Sequence, residues 1–357
     1  MPNAPEAPSS TYRLQLHRGF TFDDARRWAP YLRRLGVGAL YFSPYLRARP
    51  ESTHGYDVSD HNSLNPGLGG EEAHARLCRE LRRLGLGHVV DLVPNHMGIG
   101  EPSNRWWMDV LENGPSSIYA DFFDIDWTPI KEELRDRVLL PVLGDQYGRV
   151  LENGELQLAF EDGAFFIRYY QSLFPVSPRS YSRILGAAVQ RLASRAAEAT
   201  PDDPVVELQS IATAARHLPT AHERAPAARA ERHREKEVIK RRLAAVVAAD
   251  REIAESIDAV VVEINGHKGS RASFDRLDEL LRVQCFRLSF WRVASEEINY
   301  RRFFDVNDLA AIRQEQPDVF AATHRLILRL VEEGKVTGLR IDHPDGLWDP
   351  AGYFERL

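Results

Sequence analysis

The sequence predicts an α/β fold built on a parallel sheet and interrupted by one long insertion. Three observations carry this. Apolar runs of strand length alternate with capped helical segments through residues 11–96. Polar side chains cluster directly after those runs. The alternation stops near His96 and resumes at about residue 331, where a short apolar strand carries Arg340 and ends in Asp342 and His343. Strand and helix alternating at this spacing mean βαβ units, whose right-handed crossovers put every strand C-terminus on one side. Active sites in such folds lie on that side, in the loops after the strands.

The elements follow in order. Residues 11–16 (TYRLQL) alternate as a strand. Residues 22–35 form a helix, with Thr21 as N-cap, Asp23 and Asp24 in the first turn and Gly36 as the stop. Residues 38–43 (GALYFS) are a buried strand closed by Pro44. Residues 45–70 read as a long polar loop, and 71–84 as a helix ended by Gly85. Residues 87–93 (GHVVDLV) form the third strand, followed by Pro94, Asn95 and His96. Ahead of all this, residues 1–10 are Pro/Ala/Ser-rich with no apolar core, which predicts a disordered lead-in and no signal peptide.

The insertion spans 97–330 and reads as two parts. Residues 97–180 carry an aromatic helix over 104–119 and alternating patterns over 121–127 and 150–170, which suggest a small sheet. Residues 181–330 are Ala/Arg/Glu-rich with helical periodicity broken at Pro201, Pro204, Pro219 and Pro226. The run 229–242 mixes charges at i,i+4 spacing, the pattern of a solvated helix face and not of a nucleic-acid patch. Residues 291–307 pack acids, amides, arginines and aromatics with neither period, a composition that suits stacking on sugar rings and reading of hydroxyls. Residues 331–357 return to the sheet with a strand over 336–341 and the start of its helix.

Composition bounds the function. A net charge of −6 gives no reason to expect nucleic acid or an anionic membrane as partner. No run reaches the ~18 apolar residues of a membrane span. Cys78 and Cys285 are the only cysteines, which suits a reducing, cytoplasmic setting without a disulfide framework. Phosphate-loop, dinucleotide and zinc-helix motifs are missing, so no cofactor is called for. Asp91 and His96 are of metal-ligand type, but one strand end without a second ligand cluster calls for no metal.

The polar clusters define the candidate site. Ser43 follows the second strand, His54-Gly55-Tyr56-Asp57 lies in the loop after it, Asp91, Asn95 and His96 end the third, and Asp342 and His343 end the last. Side chains on a strand alternate faces, so Arg340 projects to the same side as Asp342 and would hold it ionised, as a nucleophile requires. Glycoside chemistry uses two carboxyl groups flanking the scissile bond, about 5–5.5 Å apart in retaining enzymes. Asp342 is the candidate nucleophile. Tyr56 would stack on the reacting ring, and His96 and His343 would donate to sugar hydroxyls.

Asp91-Leu92-Val93-Pro94-Asn95-His96 resembles the first signature region of the α-amylase family of glycoside hydrolases, and Gly338-Leu339-Arg340-Ile341-Asp342-His343 resembles its second. His54-Gly55-Tyr56-Asp57-Val58 is similar to the family's loop after the second strand. The resemblance implies a (β/α)8 TIM barrel of the α-amylase type, with about four of eight strands present and a long mixed and helical insertion after the third. It implies Asp342 as nucleophile with Arg340 as its partner, Tyr56, His96 and His343 lining the reacting subsite, and Asp57, Asp91 and Asn95 as supports. Among family members, those that the chain most resembles convert the reducing-end α-1,4 bond of a maltooligosaccharide to an α,α-1,1 bond by intramolecular transglycosylation. A hydrolase or other transglycosylase of the family, and a non-catalytic amylase-like binding protein, stand as alternatives. The general acid, a Glu after the fifth strand, and a third carboxylate after the seventh would lie beyond Leu357. The expectation is therefore an incomplete, inactive portion whose partner is the C-terminal remainder of the same enzyme.

Overall fold

The computed structural model describes residues 7–357. Residues 1–6 of the expected lead-in lie outside the described residues. The chain divides into two compact units. One takes in the described chain up to Arg105 together with Phe122–Asp124 and Arg301–Leu357, and the other Trp106–Asp121 and Ile125–Tyr300. The sequence pattern predicts these boundaries at 96/97 and 330/331.

The first unit opens with β1 (Thr11–Leu14), α1 (Phe22–Arg34), β2 (Ala39–Phe42), β3 (Leu46–Ala48), β4 (Val58–Leu64), α2 (Gly70–Leu84), β5 (Gly87–Leu92) and β6 (His96–Gly98). The helix signals act as read: Asp24 Oδ2 accepts from Thr21 N at 2.9 Å and from Thr21 Oγ1 at 2.7 Å. The polar loop is a correction. Residues 45–70 contain the antiparallel pair β3–β4. The polar-looking VSDHNSL of β4 is a strand because it buries Val58, Ser59, His61 and Leu64, and His61 Nε2 finds Val93 O at 3.2 Å.

The second unit begins within α3 (Arg105–Asn113). It continues with β7 (Val138–Leu143), α4 (Tyr147–Glu152), β8 (Leu156–Glu161), β9 (Ala164–Tyr169) and β10 (Ser172–Pro175). Helices follow: α5 (Tyr181–Arg191), α6 (Ala193–Glu198), α7 (Pro204–His217), α8 (Pro226–Ala249), α9 (Arg251–Asn265) and α10 (Asp275–Arg282), then β11 (Phe286–Phe290) and α11 (Ala294–Glu297). The expected small sheet is the antiparallel β10-β9-β8. A second pairing, β7 parallel to β11, joins segments far apart in sequence. The pattern over 121–127 makes only the isolated bridges of Phe123 to Ile312 and Ile125 to Tyr300, each within one unit.

The chain then re-enters the first unit with β12 (Arg302–Phe303), β13 (Val306–Ala311), α12 (Pro317–Glu332), β14 (Gly338–Ile341) and α13 (Pro350–Arg356). Residues 301–330 were expected inside the insertion. They belong with the first unit because β13 pairs antiparallel with β6, and α12 buries Leu326, Ile327 and Leu330 in the core shared with Leu32, Leu40 and Leu81. The central sheet is parallel, in the order β1-β2-β5-β14. It is open: the described residues form these four strands and not a closed barrel.

The sheet's two faces differ as the sequence alternation demands. Leu14, Leu40, Phe42, His88, Val90 and Leu92 turn to one face and are buried. Burial holds the histidines of this unit's core neutral, lowering His61, lowering His88 to about 3, and lowering His74, His96 and His324 to about 4. The folded values lie below the ordinary 6.5, so the unfolded chain takes up protons first as pH falls. Stability is full above pH ~6.5 and is lost as pH drops towards ~4, by about 2 kcal/mol per histidine at pH 5. Urea unfolding at pH 7.5 and pH 5 is expected to show a lower midpoint at pH 5; an equal or higher midpoint would contradict this electrostatic reading.

Candidate active site

The other face of the sheet carries the chemistry. Arg13 and Tyr41 lie in register across β1 and β2, and Asp91 pairs with Arg340 across β5 and β14. Period-two alternation sends Arg13, Tyr41, Asp91 and Arg340 to the same side, opposite the apolar core. Asp342 follows β14, and its N–H donates to Leu92 O at 2.8 Å, which carries the strand direction through to the carboxylate.

Arg340 is the hinge of this face. One guanidinium nitrogen, Nη1, donates to Asp91 Oδ1 at 2.9 Å and also to Asp342 Oδ1. Partial burial works against the Arg340 charge, but the bonds to Asp91 and Asp342 outweigh it and raise the pKa. Asp91 has no exposed side-chain surface. Its second oxygen, Oδ2, accepts from Tyr41 Oη at 2.6 Å and from Tyr56 Oη at 2.7 Å. Both phenols are pushed up, first by burial and then by Asp91, so both stay protonated as donors. Arg13 Nη2 donates to Tyr56 Oη at 3.3 Å. Asp91 is thus saturated by an arginine and two tyrosines, whereas Asp342 retains an oxygen outside the Arg340 bond.

The loop before β4 sets Tyr56. Gly55 has φ +81°, and a Cβ there would stand 2.1 Å from Pro44 O, so only glycine turns this corner. Ser52 Oγ donates to Asp57 Oδ1, and Gly55 N donates to Ser52 Oγ at 3.0 Å. Asp57 is buried and accepts the Ser52 hydroxyl within its own loop. Tyr56 was expected to stack on a sugar ring; its hydroxyl is tied to Asp91, which fixes where the ring lies. His96 Nε2 lies 3.2 Å from Tyr56 O. A carbonyl only accepts, so the Nε2 proton points there, and the donor expected for a sugar hydroxyl is already used in holding the Tyr56 backbone.

A second arginine organises the rim. Arg301 Nη1 donates to Gly346 O at 2.7 Å and to Asn95 Oδ1 at 3.2 Å, while Nε donates to Asp124 Oδ2 at 2.7 Å. It ties the turn after β14 to the end of β5. His343 enters that turn with φ +47°, a left-handed backbone that a non-glycine residue adopts only when its surroundings enforce it. Its ring packs on Phe303 and Phe304, with centroids 5.0 and 5.4 Å away. A Cβ at Gly346 would meet His343 Cδ2 at 2.6 Å and Asn95 Oδ1 at 2.8 Å. Phe303 also lies 4.2 Å from the His96 ring.

The structure therefore brings together Asp342, Arg340, Asp91, Tyr56, Asn95, His96 and His343, with Asp57 one layer behind. Ser43, after β2, serves the backbone: Leu16 N donates to its Oγ at 2.9 Å. Sequence reasoning missed Arg13 and Tyr41 as partners of this face, although the alternation of TYRL and ALYF contained the signal. It singled out the stretch holding Arg301 without resolving a role, because that role depends on turns distant in sequence.

Known proteins share this arrangement of elements. The family profile described as alpha amylase, catalytic domain, matches residues 28–149. A curated relative from Mycobacterium tuberculosis, assigned as a maltooligosyl trehalose synthase, is 33% identical over 98% of this chain and 32% of its own length. The solved structure of maltooligosyltrehalose synthase from Arthrobacter ramosus is 34% identical, covers 98% of this chain and 33% of that chain, and superposes with a TM-score of 0.65. The chain resembles maltooligosyl trehalose synthase along almost its whole length. Its fold is of the α/β amylase type. An intracellular maltogenic amylase of Bacillus subtilis is 36% identical, but over 30% of this chain only. The chain spans about a third of the length of the maltooligosyl trehalose synthases it matches. Among the described residues, no helix is long and apolar enough to cross a membrane.

Proposed function

We propose that this chain supplies the nucleophile side of a retaining glycosyl-transfer site that converts the reducing-end α-1,4 bond of a maltooligosaccharide to an α,α-1,1 bond. The observation that carries the reading is the Arg340 bridge: one guanidinium holds both a saturated carboxylate, Asp91, and a carboxylate with a free oxygen, Asp342. Asp342 attacks the anomeric carbon and forms a glycosyl ester as the glycosidic C–O bond breaks. The departing oxygen takes a proton from a general acid. The released glucose stays bound, turns and attacks the ester through its anomeric hydroxyl, whose proton returns to the same acid. Two inversions give net retention.

The acid is proposed to come from residues outside this chain. Two observations support this. The matched synthases are about three times as long. The carboxylates hydrogen-bonded to the arginine and tyrosines on the polar sheet face are Asp91 and Asp342 alone among the described residues. Cytoplasmic α-glucans are the proposed substrates, without a cofactor.

The match to a maltogenic amylase over 30% of the chain favours a second reading, hydrolysis of the same bonds. Product analysis separates the two. The full-length protein acting on maltopentaose is expected to give a non-reducing product, and the isolated chain none. Rising reducing ends would favour hydrolysis, and product from the isolated chain would overturn the division of the site.

A further inference from the structure

On the opposite face of the sheet from Asp342, three potential metal ligands meet in the core. His74 and Cys78 stand four residues apart on α2 and so share one helix face. His88 points at them from β5. All three are buried, and their ligand atoms lie within 4.8 Å of one another. Cys78 Sγ is 3.7 and 3.6 Å from the two ring nitrogens of His74 and 3.8 Å from His88 Nδ1, so it lies over the His74 ring. A tetrahedral ion with bonds of about 2.3 Å to sulfur and 2.0–2.1 Å to nitrogen sets each sulfur–nitrogen separation at about 3.5 Å. The sulfur–nitrogen separations are within a few tenths of an ångström of those in a coordination sphere, and a turn of the His74 ring about its Cβ–Cγ bond brings a nitrogen lone pair to the ion.

Three further features fit a bound ion. Tyr45 Oη lies 3.3 Å from His88 Nε2, the nitrogen away from the cysteine, and this outer contact fixes the ring so that Nδ1 faces Sγ. Lys335 O lies 3.7 Å from Sγ, in reach as an oxygen donor. A concavity of about 670 Å³, lined by Cys78, His88, Gly87, Lys335 and Thr337, opens at the N-terminal edge of the sheet and supplies an entry path.

We propose that His74, Cys78 and His88 bind a single thiophilic d10 cation, zinc(II) or copper(I). Binding replaces the thiol proton: the S–H bond breaks, a sulfur–metal bond forms and one proton goes to solvent. Copper(I) needs no fourth donor and leaves a neutral complex beside Lys335 and Arg82. Zinc(II) takes Lys335 O or a water from the concavity as its fourth ligand. The sequence called for no metal at the catalytic face, and this site is separate from it.

The test is titration of the purified protein with zinc(II) against a chromophoric chelator, with copper(I) against bicinchoninate, and with cobalt(II) as a spectroscopic stand-in for zinc. One equivalent of zinc or copper is expected to bind, with a thiolate-to-cobalt charge-transfer band. Cys78→Ser is expected to lose the band and about 100-fold or more in affinity, and Tyr45→Phe about 10-fold. Cys285, buried elsewhere, is the internal control, and Cys285→Ser is expected to bind as the parent does. Should Cys78→Ser fail to fold by circular dichroism, His74→Gln is read in the same assay. Absence of stoichiometric binding of either ion, or binding unchanged in these ligand variants, would overturn the proposal.

Discussion

Asp342→Asn in the full-length protein is expected to lower kcat for transfer by at least about 10³-fold while leaving the fold intact, as loss of a nucleophile does in enzymes where it has been isolated. The amide has the same shape and can still accept from Arg340. It cannot form the glycosyl ester. Arg340 would then be balanced by Asp91 alone, and Asp91 has no oxygen free to substitute: Oδ1 takes Arg340 and Oδ2 takes Tyr41 and Tyr56. Single-turnover kinetics on maltopentaose checks this directly. Activity persisting above a few per cent of the parent would mean that another group attacks the sugar.

The largest stability effect is expected in the second unit. Lys236 on α8 is almost fully buried and pairs with Asp109 at 2.8 Å, Glu112 at 2.8 Å and Glu237 at 2.6 Å. Lys240 adds a contact of 2.5 Å to Glu112. Burial opposes the Lys236 charge, but the two buried acids outweigh it and raise its pKa. Asp109 shows the reciprocal effect: burial raises it, yet its bonds with His233, Lys236 and Ser117 depress it overall. Lys236→Met keeps the stem and removes the charge, leaving Asp109 and Glu112 in the interior with less cation than they require. Breaking a buried pair from one side costs about 3–5 kcal/mol. Urea unfolding at neutral pH is expected to show that loss; a change under ~1 kcal/mol would mean water reaches the acids freely.

Much of the first unit was legible because its signals are local. The Thr21 cap, the Gly85 stop and the apolar runs before Pro44 and Pro94 each act within a few residues. The meeting of Arg340 with Asp342 was legible for the same reason, since two residues on one strand share a face by geometry. What escaped depends on partners distant in sequence. β4 looked like a loop because Ser59 and His61 are polar, and only their burial against a distant strand end makes them strand residues. β13 and α12 looked like insertion because their partners, β6 and the core under the sheet, lie some two hundred residues earlier. The parallel pairing of β7 with β11 leaves no trace in either segment alone. At the site, Asp91 looked like one more support. Its saturation by three donors is what distinguishes it chemically from Asp342, and that distinction exists only once Tyr41, Tyr56 and Arg340 converge.

In the proposed mechanism Asp342 forms the covalent bond to sugar. A fluorinated α-glucosyl fluoride tests it with least dependence on the rest of the site, because fluoride leaves without a general acid and the ring fluorine slows turnover of the ester. Peptide mass spectrometry of the full-length protein after this treatment should find one hexosyl adduct on the peptide carrying Asp342, and none in Asp342→Asn. An adduct on Asp91, or on any peptide outside β14 and its following turn, would contradict the account.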